Sequence, residues 1–215
     1  GRVAFGMKGV GDGLDTEASR AILEVLRKED ARPVWVTVWG GSLDLGQALW
    51  DLRKESAPEE VDRVISRLRV YDIAGQDDTG QWICHNFPDV KYIRSVSQFQ
   101  GISQRHNKPA PPDITGPNLD RISHAWVRKN VQNNHGPLGP LYPLAKYKYE
   151  GDTPSFFHLL PTGLSDPDQP HWGSWGRRFT REEVVNPEMR GKYGTWQERY
   201  RPYAMHVDAR DTWTD

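Results

Sequence analysis

Val34-Trp35-Val36-Thr37-Val38-Trp39-Gly40-Gly41-Ser42-Leu43-Asp44-Leu45 reads as a buried strand that stops at two glycines and hands over to a helix. Leu68-Arg69-Val70-Tyr71-Asp72-Ile73-Ala74-Gly75-Gln76-Asp77-Asp78 repeats the plan: an apolar, β-branched run, a small-residue stop, then polar groups. Ligands of open parallel sheets sit just beyond the carboxyl ends of the strands. Two such ends in one chain therefore point at a site.

Working outward, Asp15 or Thr16 can cap a helix through Ala18, Ile22 and Leu26, whose spacing is helical. Ala31-Arg32-Pro33 breaks it before the first strand. Past Gly40-Gly41, the stripe Leu45, Ala48, Leu49 and Leu52 predicts a second helix. Ser56-Ala57-Pro58-Glu59 predicts the start of a third, with a capping serine, a proline in the first turn and a glutamate three residues on. Val61, Val64, Ile65 and Leu68 then face inward, Val70–Ile73 forms the second strand and Lys91–Val96 a third. Helices and strands alternating at this spacing predict an α/β fold with a doubly wound, mostly parallel sheet. Further on, the pattern predicts a helix over Asn118–Val127, a short one from Asp152-Thr153-Pro154 to Leu160, and a capped segment near Thr180-Arg181-Glu182-Glu183. The rest of that part is irregular and aromatic-rich, and one domain over residues 1–215 is the simplest organisation.

The formal net charge of -1 offers no field to attract nucleic acid or an anionic membrane, and no apolar run approaches the ~20 residues of a membrane span. Cys84 is the single cysteine, so no intrachain disulfide can form. The chain holds 9 Trp, 16 Pro and 20 Gly, concentrated after about residue 105, which implies aromatics packed in irregular loops or displayed as a sugar-stacking surface.

Asp77-Asp78 follows a strand end and a glycine, where adjacent carboxylates can bind a cation, polarise a water or simply form a solvated turn. Cys84-His85-Asn86 is not a catalytic dyad, because neighbouring side chains diverge, and no second cysteine or paired histidine stands at zinc-ligand spacing. His158, within Phe156-Phe157-His158-Leu159-Leu160, reads as a packed helix residue. Asp166-Pro167-Asp168-Gln169-Pro170-His171-Trp172-Gly173-Ser174-Trp175-Gly176 is different: it puts carboxylates, a histidine and two indoles on one loop, the mixture a sugar site requires. A structured turn is the plainer reading of the same residues. No phosphate-binding loop, dinucleotide fingerprint or nucleophile elbow is present.

The run Tyr71-Asp72-Ile73-Ala74-Gly75-Gln76-Asp77-Asp78, continued by Gly80-Gln81-Trp82-Ile83-Cys84-His85-Asn86-Phe87-Pro88-Asp89, resembles the bacterial nucleoside-hydrolase-like domain of cellulose-binding proteins. Gly151-Asp152-Thr153-Pro154-Ser155-Phe156, Leu160-Pro161-Thr162-Gly163-Leu164-Ser165-Asp166-Pro167 and Gly173-Ser174-Trp175-Gly176 carry the same resemblance. More distantly, the chain is similar to inosine-uridine nucleoside hydrolases, calcium-dependent α/β enzymes that cleave N-ribosyl bonds. That resemblance places the Leu43 carbonyl and Asp152 as calcium ligands, matches Ile73-Ala74-Gly75 to a turn of those enzymes, and sets their ribose-binding residues within Gln81 to Asn86. Gly151 stands where some of them carry a histidine, so a leaving-group acid is missing there.

The hydrolases' first strand also carries an aspartate cluster, which no segment here supplies. The resemblance therefore implies a partial domain, lacking that strand and a C-terminal sandwich domain. Asp152 and one carbonyl alone make a poor site for calcium, which takes six to eight oxygens. Two functions follow as expectations. One is a calcium-dependent glycosyl hydrolase acting on an N- or O-glycosidic bond, with a nucleoside-like or carbohydrate substrate and Asp77, Asp78 and Asn86 touching sugar; its catalytic residues are not assigned. The other is a non-catalytic carbohydrate-binding module, with Trp82, Trp172 and Trp175 as stacking faces and Asp77, Asp78 and His171 bonding hydroxyls. Either role on polysaccharide places the protein outside the cytoplasm, secreted or periplasmic.

Overall fold

Thr16 decides where the first helix begins. The computed structural model describes residues 6–73, 75–95, 124–143, 152–176, 179–182 and 201–205. In it α1 (Glu17–Arg27) is opened by a reciprocal capping box. The Ser19 N–H donates to Thr16 Oγ1 at 2.9 Å and the Thr16 N–H to Ser19 Oγ at 2.8 Å. Asp15 pairs with Arg20 on the surface instead. Leu23 and Leu26 are buried on one face of α1. Its last carbonyls are met by arginines from a later helix: Arg67 donates to the Lys28 carbonyl at 2.7 Å and Arg63 to the Arg27 carbonyl at 3.3 Å. Cations there offset the negative end of the helix dipole.

The chain divides into two compact units, residues 1–96 with 180–205, and residues 97–179 with 206–215. In the first, β1 (Val34–Val38) leads to α2 (Leu43–Glu55), α3 (Pro58–Arg67), β2 (Leu68–Ile73), α4 (Thr79–Asn86) and β3 (Lys91–Ser95). The three strands form a parallel sheet in the order β1-β2-β3, with Val36 beside Val70 and Val70 beside Tyr92. The α/β class and the parallel sheet are as expected, and among the described strands the order runs one way. Right-handed crossovers between strands so ordered put their helices on one face. Accordingly α2 packs against both α1 and α4. β2 is central, and all six of its residues are buried. Leu45, Ala48, Leu49 and Leu52 of α2 meet Val64, Ile65, Val70, Ile83 and Phe87 in one core.

Two local expectations are corrected. Ser56 does not cap α3; it ends α2, its N–H donating to the Leu52 carbonyl at 3.0 Å, and Ala57 takes the cap position with Pro58 in the first turn. Thr180-Arg181-Glu182 do not begin a capped segment: they belong to β4 (Phe179–Glu182), which pairs with β5 (Arg201–Met205). A pairing partner some twenty residues away leaves no trace in a local capping pattern.

In the second unit, α5 (His124–Val127) runs on as a π-turn over Arg128–Gln132, and α6 (Pro154–Phe157) has Pro154 in its first turn. The start of the expected helix at Asn118 lies outside the described residues, as does Val96 at the end of the third strand. Among the described residues no helix is long and apolar enough to cross a membrane.

Candidate functional site

Parallel pairing brings the carboxyl ends of all three strands to one edge, so the loops Trp39–Ser42 and Gly75–Asp78 meet there beside Arg94 and Ser95. Gln76 Nε2 ties the first two together, donating to the Trp39 carbonyl at 2.9 Å. Trp39 is 54% exposed at this edge. Its only mark in the sequence is its place, an indole between a strand's last buried residue, Val38, and the glycine stop.

Asp72 lies near the end of β2, fully enclosed. Tyr92 Oη donates to its Oδ2 at 2.8 Å and the Gly75 N–H to its Oδ1 at 3.2 Å. Burial raises its pKa to about 6, against the lowering pull of the Tyr92 hydroxyl and the Arg94 charge. Asp77, only 4% exposed, accepts the Thr79 N–H at 3.0 Å and the Ser42 hydroxyl at 3.3 Å, both on Oδ1. Ser42 thus bonds across the loops instead of capping α2 with its side chain. Asp77 Oδ2 is buried without a hydrogen bond of ordinary geometry, although the neighbouring Ser42 amide helps hold the pKa down. Burial wins, and the pKa is raised. A Cβ on Gly41 would collide with this oxygen, so glycine is what lets the loop come so close. Asp78, half-buried, accepts the Met7 N–H at 2.8 Å from the turn Gly6–Gly9. Gly6 has φ +61°, and a Cβ there would meet Asp78 Oδ1. Two separate segments, Gly6–Met7 and Gly41–Ser42, thus hold the Asp77-Asp78 pair together with its neighbour Thr79, which is a built feature and not a loosely solvated turn.

Trp82 and Asn86 do not join that edge in the expected way. Trp82 lies on α4 and not in a loop, packed against the core with Trp50 and Phe87 ring centroids each 5.8 Å away. The Arg53 guanidinium stands over its ring at 5.3 Å, so the face expected to stack a sugar meets a cation. Asn86 spends its amide inside the protein, donating to the Trp82 carbonyl at 2.8 Å and accepting from Arg53 at 2.8 Å.

The second unit holds the indole-bearing loop. His158 is 1% exposed, as the packed-residue reading expects. Its Nε2 is 3.1 Å from the Pro167 carbonyl and its Nδ1 3.0 Å from Ser174 Oγ. The carbonyl can only accept, so Nε2 carries the proton; the neutral ring then accepts the Ser174 hydroxyl proton at Nδ1. Burial holds the pKa below the usual histidine value, against the pull of Asp166 and Asp168. This ring fastens both ends of the stretch 167–174 from inside. Gly176 fits close behind, where a Cβ would collide with the Pro154 carbonyl and the His158 backbone. Outside the fastening, His171 and Trp172 sit on the turn Pro170–Trp172, and Trp172 and Trp175 are 54% and 50% exposed. The Asp168 N–H donates to Asp166 Oδ1 at 2.8 Å, which shapes the start of the loop.

The two calcium ligands implied by resemblance stand as follows. Leu43 is buried as the first residue of α2, where helical geometry points its carbonyl along the axis at the N–H four residues on. Asp152 belongs to the second unit, half-buried at the foot of α6, with its own carbonyl accepting the Ser155 N–H and hydroxyl. Among the described residues, no three His, Cys, Asp or Glu side chains are grouped to hold a metal ion. The described donors therefore do not fit calcium, which needs converging oxygens.

A parallel α/β unit with polar groups gathered beyond its strand ends places this chain among the open-sheet α/β proteins. More narrowly, the chain belongs to the family described as cellulose-binding Sde182, nucleoside hydrolase-like domain, whose model matches residues 1–179. It is similar to the solved structure of a nucleoside hydrolase-related hypothetical protein from Saccharophagus degradans that is associated with carbohydrate metabolism. The two share 34% identity at a TM-score of 0.75, over 96% of this chain and 46% of that one. The chain thus spans less than half the length of that relative. Comparison with curated proteins gives no match.

Proposed function

We propose that the chain is a carbohydrate-binding domain that recognises plant polysaccharide, cellulose in the first instance, through Trp172 and Trp175 without cleaving it. The observation that carries this reading is that both indoles stay half exposed on a loop fastened from within by His158. Holding large apolar rings in water costs free energy that burial would recover, at roughly 25 cal/mol per Å². A pyranose offers them a flat C–H face, while Asp166, Asp168 and His171 on the same loop suit its hydroxyls. A family described as cellulose-binding supports the choice of ligand. Such a ligand places the protein outside the cytoplasm, secreted or periplasmic. The test is sedimentation with microcrystalline cellulose and with insoluble xylan. Wild type is expected to co-sediment, and Trp172→Ala and Trp175→Ala each to weaken binding at least tenfold with the melting temperature unchanged. Equal binding by the three proteins, or none by wild type, overturns the proposal.

A second reading, hydrolysis of an N- or O-glycosidic bond, is favoured by one separate observation. Asp72 and Asp77 are buried carboxyls at the strand-end edge whose pKa values burial raises, that of Asp72 to about 6, a shift of the kind that acid–base sites use. Nucleosides and aryl glycosides assayed with and without calcium test it: turnover abolished by Asp77→Asn would replace the binding-only reading.

A further inference from the structure

Helices α1 and α2 lie side by side and run the same way. The Thr16 hydroxyl joins their first ends, donating to Asp44 Oδ1 at 2.6 Å, and Arg27 joins their last, pairing with Glu55 at 3.0 Å. The segment 11–15 stands along α2: Gly11 exchanges two hydrogen bonds with the Gln47 amide, and Asp12 accepts from Trp50 Nε1 at 2.9 Å and from Lys54 Nζ at 2.8 Å. Between that segment and the two helices lies a cavity of about 560 Å³. We propose that this cavity is a binding site for an amino sugar, whose ammonium pairs with Asp51 and whose ring lies against Leu23. The inference is independent of whether the Trp172–Trp175 loop binds cellulose.

The volume falls in the range of small-molecule clefts, roughly 300–1,000 Å³. The sign of the ligand follows from how the lining charges are used. Each of the three cations on the walls already has a carboxylate: Arg20 has Asp15, Arg27 has Glu55 and Glu60, and Lys54 has Asp12. Two lining carboxylates, Glu24 and Asp51, have no ion pair among the described residues. An anion would therefore meet an excess of like charge, and a cation two carboxylates ready to pair. Asp51 is the better held. The fully buried Gln47 donates from Nε2 to Asp51 Oδ1 and to the Gly11 carbonyl, each at 2.9 Å, so one amide fixes both the carboxylate and the segment beside it. Asp51 Oδ2 is the oxygen left to a ligand. Burial raises the Asp51 pKa, with the Glu55 and Asp15 charges adding to it, against the pull of Gln47 and Lys54. An ammonium beside Asp51 would reverse that shift.

The remaining walls narrow the class. A metal ion fits poorly, since among the described residues no three His, Cys, Asp or Glu side chains are grouped to hold one. Arg20 and Lys54 carry N–H groups beyond those in their ion pairs, and Glu24 and Asp15 offer oxygens, so the walls can both donate to and accept from hydroxyls. Leu23, 8% exposed, supplies the apolar surface. One positive charge, several hydroxyls and a small C–H face together describe an amino sugar.

The experiment is an amide NMR titration of the whole chain at neutral pH, with D-glucosamine, N-acetyl-D-glucosamine and D-glucose in parallel. Glucosamine is expected to shift the signals of Gly13, Leu23 and Asp51, and the two uncharged sugars to leave them in place. No shift there with glucosamine, or equal affinity for all three sugars, overturns the proposal. Saturable binding of calcium chloride at the same residues overturns it as well, because a metal site would then account for the two carboxylates. Asp51→Asn should weaken glucosamine binding roughly tenfold or more, and Glu24→Gln, on the exposed wall, roughly twofold to fivefold. Unchanged affinity in either variant refutes the pairing, and the exposed Glu24→Gln decides the case where Asp51→Asn fails to fold.

Discussion

Replacing Asp72 by asparagine should make the protein more stable at neutral pH, and the gain should vanish in acid. Asp72 has a pKa of about 6 in the fold against an ordinary value of 3.8. The fold therefore binds its proton more tightly than the unfolded chain does. Stability from this group is fully present below pH 3.8 and is lost as pH rises through 6. A difference of about two pH units, at 1.36 kcal/mol each, amounts to about 3 kcal/mol. Asparagine has nearly the same shape, keeps an oxygen for the Tyr92 hydroxyl and never ionises, while giving up the acceptor for the Gly75 N–H, a loss that does not vary with pH. Removing a charge from beside Arg94 adds an offset, but that offset does not vary with pH over this range. Urea unfolding of wild type and Asp72→Asn, at half-unit steps from pH 4 to 8, isolates the effect as a difference. Other carboxylates cancel in the subtraction. The stability of Asp72→Asn minus that of wild type should climb by about 2.5 kcal/mol across this range, the rest of the change lying below pH 4, and level off above pH 7. A difference that stays flat with pH would show that Asp72 is not the buried acid described, and would remove the chief support for proton chemistry at the strand-end edge.

Gly41→Ala should destabilise by about 1–3 kcal/mol, because its Cβ drives into Asp77, whereas Gly40→Ala, which faces open space, should be neutral within about 0.5 kcal/mol; paired thermal melts decide. Arg67→Met removes a buried guanidinium from the carbonyls of Lys28 and Arg32, leaving Lys28 only the longer bond from Arg63 at 3.4 Å, with an expected loss of about 1–3 kcal/mol in chemical unfolding. His158 should act on pH dependence in the opposite sense to Asp72. Its folded pKa is lowered, so the unfolded chain takes up the proton first and stability falls as pH drops below 6.5. His158→Gln should flatten that acid-side fall in a pH series of melts, and an unchanged profile would mean the ring is not held neutral.

The parts of the fold legible in the sequence are those in which neighbours along the chain are also neighbours in space. The stripe of Leu45, Ala48, Leu49 and Leu52 specifies one helix face, and Leu68, Val70, Tyr71 and Ile73, interrupted by Arg69 and Asp72, specify a strand that the fold buries along its whole length. Thr16 could be narrowed only to a choice with Asp15, because the bond that decides lies with Ser19 and both candidates can cap. Trp82 was misread for the same reason that β4 was missed. Its environment is made by Trp50 and Arg53, from another helix, and no local pattern records them. Trp39 shows the converse, since its neighbours suited a strand core and its exposure follows only from standing where the sheet stops.

The candidate site divides along the same line. The sequence marks Asp77-Asp78 as polar residues after a strand and a glycine, but whether they are solvated or built in depends on Ser42, Met7 and two glycines from other segments. Those contacts change the chemistry of the pair. A solvated aspartate is a plain anion; Asp77, pressed against Gly41, carries a desolvation cost that the Ser42 and Thr79 donors only partly offset. The strand-end edge is then a braced acidic surface under an exposed indole, and the Trp172–Trp175 loop is a braced apolar one. Both leave an indole, Trp39 in one and Trp172 with Trp175 in the other, standing in water at a cost that burial would recover.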